Sequence, residues 1–158
     1  FCVGFGVGSK PAKLKQFRTL SVRLMLLPAA TIVGTIMACL LVSLFMNYST
    51  PSVLAVGSGF GYYSLSSILI SQSHGAELGT IALLCNIVRE LMVLLGAPLL
   101  LRMFGPLAPI SAGGATTMDS TLPVIIRALG EDFVLLSMFH GFLVDFSVPF
   151  LVTFFCSL

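Results

Sequence analysis

The stretch LMLLPAATIVGTIMACLLVSLFM, from Leu24 to Met46, decides the fold class. As a helix it is long enough to cross the ~30 Å hydrocarbon core of a bilayer. It carries no Asp, Glu, Lys or Arg, and none follows until Glu77. The chain of 158 residues is 57% hydrophobic and 9% charged, whereas a soluble domain has roughly 25% charged residues. With a mean hydropathy of +1.07, the sequence predicts an all-α integral membrane protein. Nucleic-acid binding proteins, secreted disulfide scaffolds and cytosolic enzymes are excluded.

Basic residues are concentrated near the start of the chain, with no acidic neighbours. They predict that residues 9–23 form a cytoplasmic loop, because Lys and Arg are enriched on that side of a membrane. A basic amphipathic helix on anionic lipid is the alternative, which Pro11 and the apolar flanks disfavour. Residues 1–8 are too short to cross a bilayer and are expected to be the end of a truncated transmembrane helix. The basic residues are Lys10, Lys13, Lys15, Arg18 and Arg23.

Five stretches organise the predicted transmembrane transport domain, residues 24–158. Three are plain apolar segments, which predict transmembrane helices. The other two contain glycine, proline and clustered hydroxyl residues, and unwound backbone at membrane depth is tolerated only where it lines protein or a cavity. These two are predicted to be broken or re-entrant hairpins that form the binding site. The plain segments are residues 24–46, 78–101 and 133–158, and the interrupted ones are 51–72 and 106–128.

Charge and internal similarity both favour the re-entrant arrangement. If both interrupted stretches return to the side from which they came, every loop Lys and Arg lies in the cytoplasm, whereas two full crossings would place Arg102 outside. The segment Gly61–Leu69 also aligns with Gly114–Leu122, matching a glycine, a serine and a leucine. One hairpin plus one span has an odd number of crossings, so consecutive copies would be inverted. The sequence therefore predicts an inverted repeat.

Two charged residues lie in the middle of the 78–101 segment. An ionised side chain at that depth costs ~2.5 to 3.5 kcal/mol, so intramembrane charges are candidates for function. Asn86, Arg89 and Glu90 are spaced to share one helix face, which we expect to point into the bundle or a cavity. Asn86 and Glu90 are predicted to bind substrate or ion, and Arg89 is a further candidate. A structural ion pair to a neighbouring helix is the alternative.

Asp119 is the only acidic residue of the second interrupted stretch. A carboxylate among backbone and hydroxyl oxygens is suited to a proton, a Na⁺ ion or an ammonium group. A helix N-cap is the alternative for Asp119, and simple packing is the alternative for the serines of the first stretch. The candidate binding residues are Gly113, Gly114, Thr116, Thr117 and Asp119 in the second stretch, with Ser64, Ser66 and Ser67 in the first.

The last apolar segment contains two further candidates, His140 and Asp145. Their separation places the side chains about 140° apart around a helix, so we expect one to face the site and the other a partner helix. Motifs of zinc proteases, serine hydrolases and phosphate loops are absent from the sequence, which predicts that the protein is not an enzyme and has no cofactor beyond a coupling ion.

Four motifs together resemble the bacterial lysine exporter family, LysO. They are GFGYYSLSS from Gly59, NIVRE from Asn86, GGATTMDSTLPV from Gly113 and HGF from His140. The chain resembles the C-terminal half to two thirds of such a protein. The family's N-terminal helices are expected upstream or in a separate small membrane subunit. A homo-oligomer is a further option for the assembly.

The resemblance implies a multi-pass exporter of L-lysine, and of its analogue thialysine, in the bacterial inner membrane. It implies coupling to H⁺ or Na⁺, with Glu90 and Asp119 as the acidic residues of the intramembrane site and Na⁺ near Asp119 as one arrangement. The expected mechanism is alternating access around a site between the two broken segments. Two alternatives remain: a non-transporting membrane scaffold subunit, and a transporter of another small charged metabolite.

Overall fold

The computed structural model describes residue 24 and residues 26–158. The predicted helix end at 1–8 and the basic loop at 9–23 lie outside the described residues. The described part is helical and contains no strand, as the composition predicts. Its α-helices are α1 (Leu27–Ser43), α2 (Thr50–Gly57), α3 (Tyr63–His74), α4 (Ala76–Phe104), α5 (Leu107–Gly113), α6 (Leu122–Leu129) and α7 (Val134–Cys156), with 3₁₀ turns at Gly114–Met118 and Glu131–Phe133.

Two segments of the described chain are long and apolar enough to cross a membrane. They are α4, with 29 residues, and Glu131–Cys156, with 26 residues, which joins a 3₁₀ turn to α7. Helix α1 has 17 residues and spans about 25 Å, less than a typical hydrocarbon core. It ends before Met46 because the chain turns toward α2, whose first turn is capped by the Ser49 side chain. Further membrane crossings remain a prediction.

The outward faces of the long helices are strongly apolar. Four phenylalanines spaced one turn apart on α7 are each more than half exposed, and Leu95 on α4 is 83% exposed. In water such continuous apolar surface would be unfavourable, so these faces are suited to contact with lipid or other membrane helices. The phenylalanines are Phe142, Phe146, Phe150 and Phe154.

Each of the two predicted interrupted stretches contains a break in its helical path, and the two breaks contact each other. The first break, residues 58–62, lies between α2 and α3, and the second break, residues 114–121, lies between α5 and α6. Backbone with positive φ occurs in both, at Gly61 (97°) and Gly114 (61°). The Ala115 amide donates a hydrogen bond of 2.9 Å to the Phe60 carbonyl. The breaks therefore meet backbone to backbone inside the helix bundle.

Two apolar clusters hold this contact in place. One joins α2, α3, α4 and α7 and includes the fully buried Phe60 and Val144. The other joins α4, α5, α6 and α7 around Val93, Ile110 and Ile125. The breaks are thus enclosed by packed helices on several sides, which fixes the position of the polar residues that they carry.

The aligned segments of the two breaks follow different paths after their glycines. Helix α3 begins at Tyr63, directly after the first break. The second break continues as a 3₁₀ turn to Met118, and α6 begins only at Leu122. The inverted repeat and the re-entrant path of the two stretches therefore stay predictions.

Candidate functional site

A cavity of about 280 Å³ lies where the two breaks meet α4 and α7. Glu90 of α4, Asp119 of the second break and Asp145 of α7 all line it. The described residues around it include no Lys or Arg, so the cavity attracts cations. Its other lining residues are Gly61, Tyr62, Tyr63, Ser64, Ala115, Thr116, Met118 and Ser120.

The three carboxylates are accessible from the cavity rather than sealed in the protein. Glu90 and Asp145 are half-buried and Asp119 is exposed. One Asp119 oxygen, Oδ1, accepts a 2.5 Å hydrogen bond from the Ser120 amide. Helix α6 is preceded by Thr121 and has no side-chain cap, so the N-cap alternative does not account for Asp119. Its carboxylate remains able to bind a ligand.

The size of the cavity indicates what it could bind. No group of three His, Cys, Asp or Glu side chains in the described part of the chain could hold a metal ion. A volume of about 280 Å³ lies at the small end of ligand pockets, which are roughly 300 to 1,000 Å³. The arrangement is suited to a small organic cation.

A second, larger cavity of about 740 Å³ forms a groove between α1, α2, α4 and α5. It shares no lining residue with the carboxylate cavity. Asn86 and Arg89 line the groove, whereas Glu90 lines the carboxylate cavity. The polar face predicted for these three residues is therefore divided between two cavities. Arg89 and Glu90 are adjacent, so their side chains diverge by about 100° around the helix.

Asn86 anchors the first break to α4. Its Oδ1 accepts a 2.7 Å hydrogen bond from the Gly61 amide, and its Nδ2 donates to the Ala82 carbonyl at 2.8 Å. Nδ2 also lies 3.4 Å from the Ser66 hydroxyl, which itself donates to the Tyr62 carbonyl at 2.8 Å. Asn86 and Ser66 thus position the wall of the carboxylate cavity without lining it.

Arg89 connects α4 to the end of α5 and to the first break. Its Nε donates to the Ala112 carbonyl at 2.8 Å and its Nη2 to the Ser111 carbonyl at 3.2 Å. The guanidinium carbon lies 5.6 Å from the centre of the Phe60 ring, within range of a cation–π contact. Its hydrogen-bond partners are therefore carbonyl oxygens at a helix C-terminus, where a positive charge is favourable.

His140 and Asp145 occupy different environments. Asp145 lines the carboxylate cavity, whereas His140 is fully buried against α1 and the second break. The His140 Nε2 lies 2.9 Å from the Thr31 hydroxyl, and its Nδ1 lies 3.3 Å from the Thr117 hydroxyl. At the next position of α7, a Cβ atom on Gly141 would lie 2.7 Å from the Met118 amide nitrogen. Only a glycine lets α7 approach the second break so closely.

The structure brings five of the thirteen predicted binding residues together in the carboxylate cavity. The remainder support its walls, line the groove or lie nearby. Sequence reasoning missed three polar lining residues. All three lie within quoted motifs, and two of them are adjacent to a predicted residue. The lining residues are Ser64, Glu90, Thr116, Asp119 and Asp145; those outside are Ser66, Ser67, Asn86, Arg89, Gly113, Gly114, Thr117 and His140; the missed ones are Tyr62, Tyr63 and Ser120.

Comparison with known proteins shows the family to which the chain belongs. The family model described as "Lysine exporter LysO" matches residues 1–156. The chain belongs to the LysO family. The Lysine exporter LysO of Escherichia coli (strain K12) is 36% identical over 155 residues, which cover 98% of this chain and 51% of that protein. A relative from Haemophilus influenzae is 29% identical over 157 residues, which cover 99% of this chain and 80% of that protein. No solved structure matches.

The family resemblance predicted from four motifs is therefore confirmed. The chain spans about half the length of the LysO protein of E. coli. Each motif supplies part of the site: the first break, the polar turn of α4, the second break, and the part of α7 that packs on it. A family of lysine exporters is one of membrane transporters, which agrees with the two long apolar segments.

Proposed function

We propose that this protein is part of a secondary active exporter of L-lysine in the bacterial inner membrane. One observation carries the proposal: Glu90, Asp119 and Asp145, from three separate elements, line one small cavity without a compensating Lys or Arg among its described lining residues. Lysine has two ammonium groups and one carboxylate at neutral pH, so its net charge is positive. A site for it inside a membrane protein requires carboxylates.

The polar groups around the cavity provide for both ends of lysine. In this proposal the carboxylates bind the two ammonium groups, and the hydroxyls of Tyr62, Tyr63 and Ser64 donate to the α-carboxylate. Thialysine has the same charged groups and would bind in the same way. A coupling ion, H⁺ or Na⁺, would occupy the carboxylates when lysine leaves, which links the two fluxes.

Alternating access would act on the contact between the breaks. The carboxylate cavity and the groove share no residue, and the Ala115 to Phe60 hydrogen bond lies where the breaks meet. Movement of the second break relative to the first would change access to the cavity. The complete exporter would include further helices, from the same protein or from a separate small subunit, since the chain spans about half of its E. coli relative.

The test is lysine efflux from preloaded bacteria that express the full protein with Glu90→Gln, Asp119→Asn or Asp145→Asn. We expect each change to lower efflux on the order of tenfold or more, because a charge-assisted contact to ammonium is lost. Asp132→Asn is the matched control: Asp132 is exposed and lies outside the carboxylate cavity. It should leave efflux within about twofold of the wild type.

Efflux that survives all three cavity changes, with the protein present in the membrane, would contradict the proposal. That result would favour a scaffold subunit. Efflux of another cationic metabolite that falls with the three changes, while lysine is not exported, would instead reassign the substrate.

A further inference from the structure

His140 is a buried titratable group that the proposed lysine site does not use. It is fully buried, and its Nε2 contacts the Thr31 hydroxyl at 2.9 Å. The Thr31 hydroxyl contacts the Ser111 hydroxyl at 2.8 Å. Thr31 and Ser111 both line the groove. A chain of two hydroxyl groups therefore connects the groove to the imidazole.

The hydrogen bonds of Thr117 determine which ring nitrogen carries the proton. The Thr117 hydroxyl lies 2.8 Å from the Gly114 carbonyl and 3.0 Å from the Ser137 carbonyl. Carbonyl oxygens only accept, so the single proton of this hydroxyl is directed to them. The 3.3 Å contact between Thr117 and His140 Nδ1 then requires a proton on Nδ1. In the neutral ring, Nε2 is then unprotonated and accepts from Thr31.

The same contacts can accommodate a second proton on the ring. If Nε2 gains a proton, it donates to Thr31, whose hydroxyl then rotates to donate to Ser111. Each hydroxyl keeps one proton and retains a partner in both states. Only hydroxyl rotation is needed, with no loss of a hydrogen bond. This reversibility is what a proton-binding position requires.

The charge environment of His140 links its protonation to the second break. Arg89 is the charged group that acts on His140 most directly, and its Nη2 donates to the carbonyl of Ser111, the residue whose hydroxyl ends the chain from His140. Two cations repel each other strongly inside a protein. The other titratable side chains on the surrounding elements are Cys39 on α1; Tyr63 and His74 on α3; Glu77, Cys85, Glu90 and Arg102 on α4; Arg127 on α6; Asp119 in the second break; and Asp145 and Cys156 on α7. Helices α2 and α5 carry none.

We propose that His140 is a proton-binding positioning residue that couples a proton to lysine movement. A proton from water in the groove moves along Ser111 and Thr31 to Nε2, each hydroxyl passing on one proton as it receives one. It leaves by the same route after alternating access has exposed the groove to the opposite side. The imidazolium repels Arg89 and so weakens its hold on the Ser111 and Ala112 carbonyls. That hold bonds α4 to the end of α5, immediately before the second break, which carries Asp119.

One test of this inference does not depend on transport. The chain contains two histidines, so His74→Asn leaves His140 as the sole histidine signal in nitrogen NMR of ¹⁵N-histidine-labelled protein. We expect the neutral ring with the proton on Nδ1. A neutral ring protonated on Nε2 would overturn the inference, because the hydrogen-bond direction on which the route depends would be reversed.

The second test uses the full protein in liposomes, and this part rests on the proposed lysine transport. Two rates are compared: exchange of labelled for unlabelled lysine at equal pH, and net lysine movement driven by a pH difference. His140→Gln should keep exchange within about threefold, since an amide can still bridge two hydroxyls, and should lower pH-driven movement at least tenfold.

Thr31→Val tests the route itself, and Thr35→Val is its control, because Thr35 lines the same groove one turn along α1. We expect only Thr31→Val to slow pH-driven movement while exchange persists. If both rates fall together in His140→Gln, the histidine is purely structural. If pH-driven movement persists in His140→Gln, the proton binds elsewhere. Either result overturns the inference. A wild type without lysine exchange would instead contradict the proposed function.

Discussion

The two breaks are stabilised in opposite ways. The first break is bonded to another helix, through the Gly61 amide and the Asn86 side chain. The second break is stabilised largely by its own threonines: the Thr116 hydroxyl donates to the Gly113 carbonyl at 2.9 Å and lies 3.2 Å from the Thr121 hydroxyl. The first break supplies the Tyr62 hydroxyl to the cavity, and the second supplies the Asp119 carboxylate with the hydroxyl residues Thr116 and Ser120. The charge is thus on the break that is bonded within itself and, through Thr117, to α7, while the other break is bonded to α4.

The largest effect is expected where the two breaks touch. Gly114 has a φ of 61°, and an added Cβ would overlap the Phe60 carbonyl oxygen. Gly114→Ala combines an unfavourable backbone conformation with a clash against backbone, so it should cost about 3 kcal/mol or more of stability. Thermal unfolding of the purified protein in detergent would measure this loss.

Two other glycines separate the conformational cost from the clash. Gly105 has a φ of 87° but open space around it, so Gly105→Ala should cost about 1 kcal/mol. A Cβ on Gly61 would meet the Thr116 methyl group at 3.1 Å, so Gly61→Ala should lie between the two. Equal losses for Gly114→Ala and Gly105→Ala would show that the breaks do not press together as described.

Releasing the first break from α4 should have the next largest effect. Asn86→Leu keeps a side chain of similar size but leaves the Gly61 amide without its acceptor. An unpaired buried group costs about 1 to 3 kcal/mol, so unfolding should occur at a clearly lower temperature. Asn47→Leu, at an exposed position before α2, is the control. If both variants unfold alike, Asn86 does not anchor the break.

Loosening the second break should cost less, because its hydroxyl contacts are shared among several groups. Thr121 is fully buried, and Thr121→Val removes its contact with the Thr116 hydroxyl. We expect a loss of about 1 kcal/mol in thermal stability together with altered lysine efflux, because Asp119 lies on this break. Thr153→Val on the exposed face of α7 should change neither quantity. A stability loss as large as that of Asn86→Leu would contradict the contrast between the breaks.

Much of this organisation can be predicted from sequence, and the rest depends on tertiary contacts. The absence of charge from Leu24 to Ala76 requires an apolar environment, and the glycines at 57, 59 and 61 mark a discontinuity in the helix. Helical spacing places Asn86 near Glu90, but it does not reveal that the touching breaks separate them into different cavities.

Asp145 illustrates the same limit. It lies far along the chain from both breaks, and only the packing of α7 against the second break brings it to the cavity. The role of Gly141 in that packing is equally invisible to periodicity, since a glycine within an apolar helix has many explanations. Sequence identifies which residues are chemically unusual, and the fold determines which of them meet.

The smallest effect concerns two buried serines at the first break: Ser58, which lies in it, and Ser66, which lies near the start of α3. Ser58 and Ser66 are both buried, at 1% and 0% exposure, but the Ser58 hydroxyl has no hydrogen-bond partner in the described part of the chain, whereas the Ser66 hydroxyl donates to Tyr62. Burying an unpaired hydroxyl is unfavourable, so Ser58→Ala should leave stability unchanged or raise it by up to ~1 kcal/mol, and Ser66→Ala should lower it by about 1 kcal/mol. Thermal unfolding of the two variants side by side is the measurement. Equal losses would mean that Ser58 also helps to hold the first break, and Asn86 would then no longer be its main anchor.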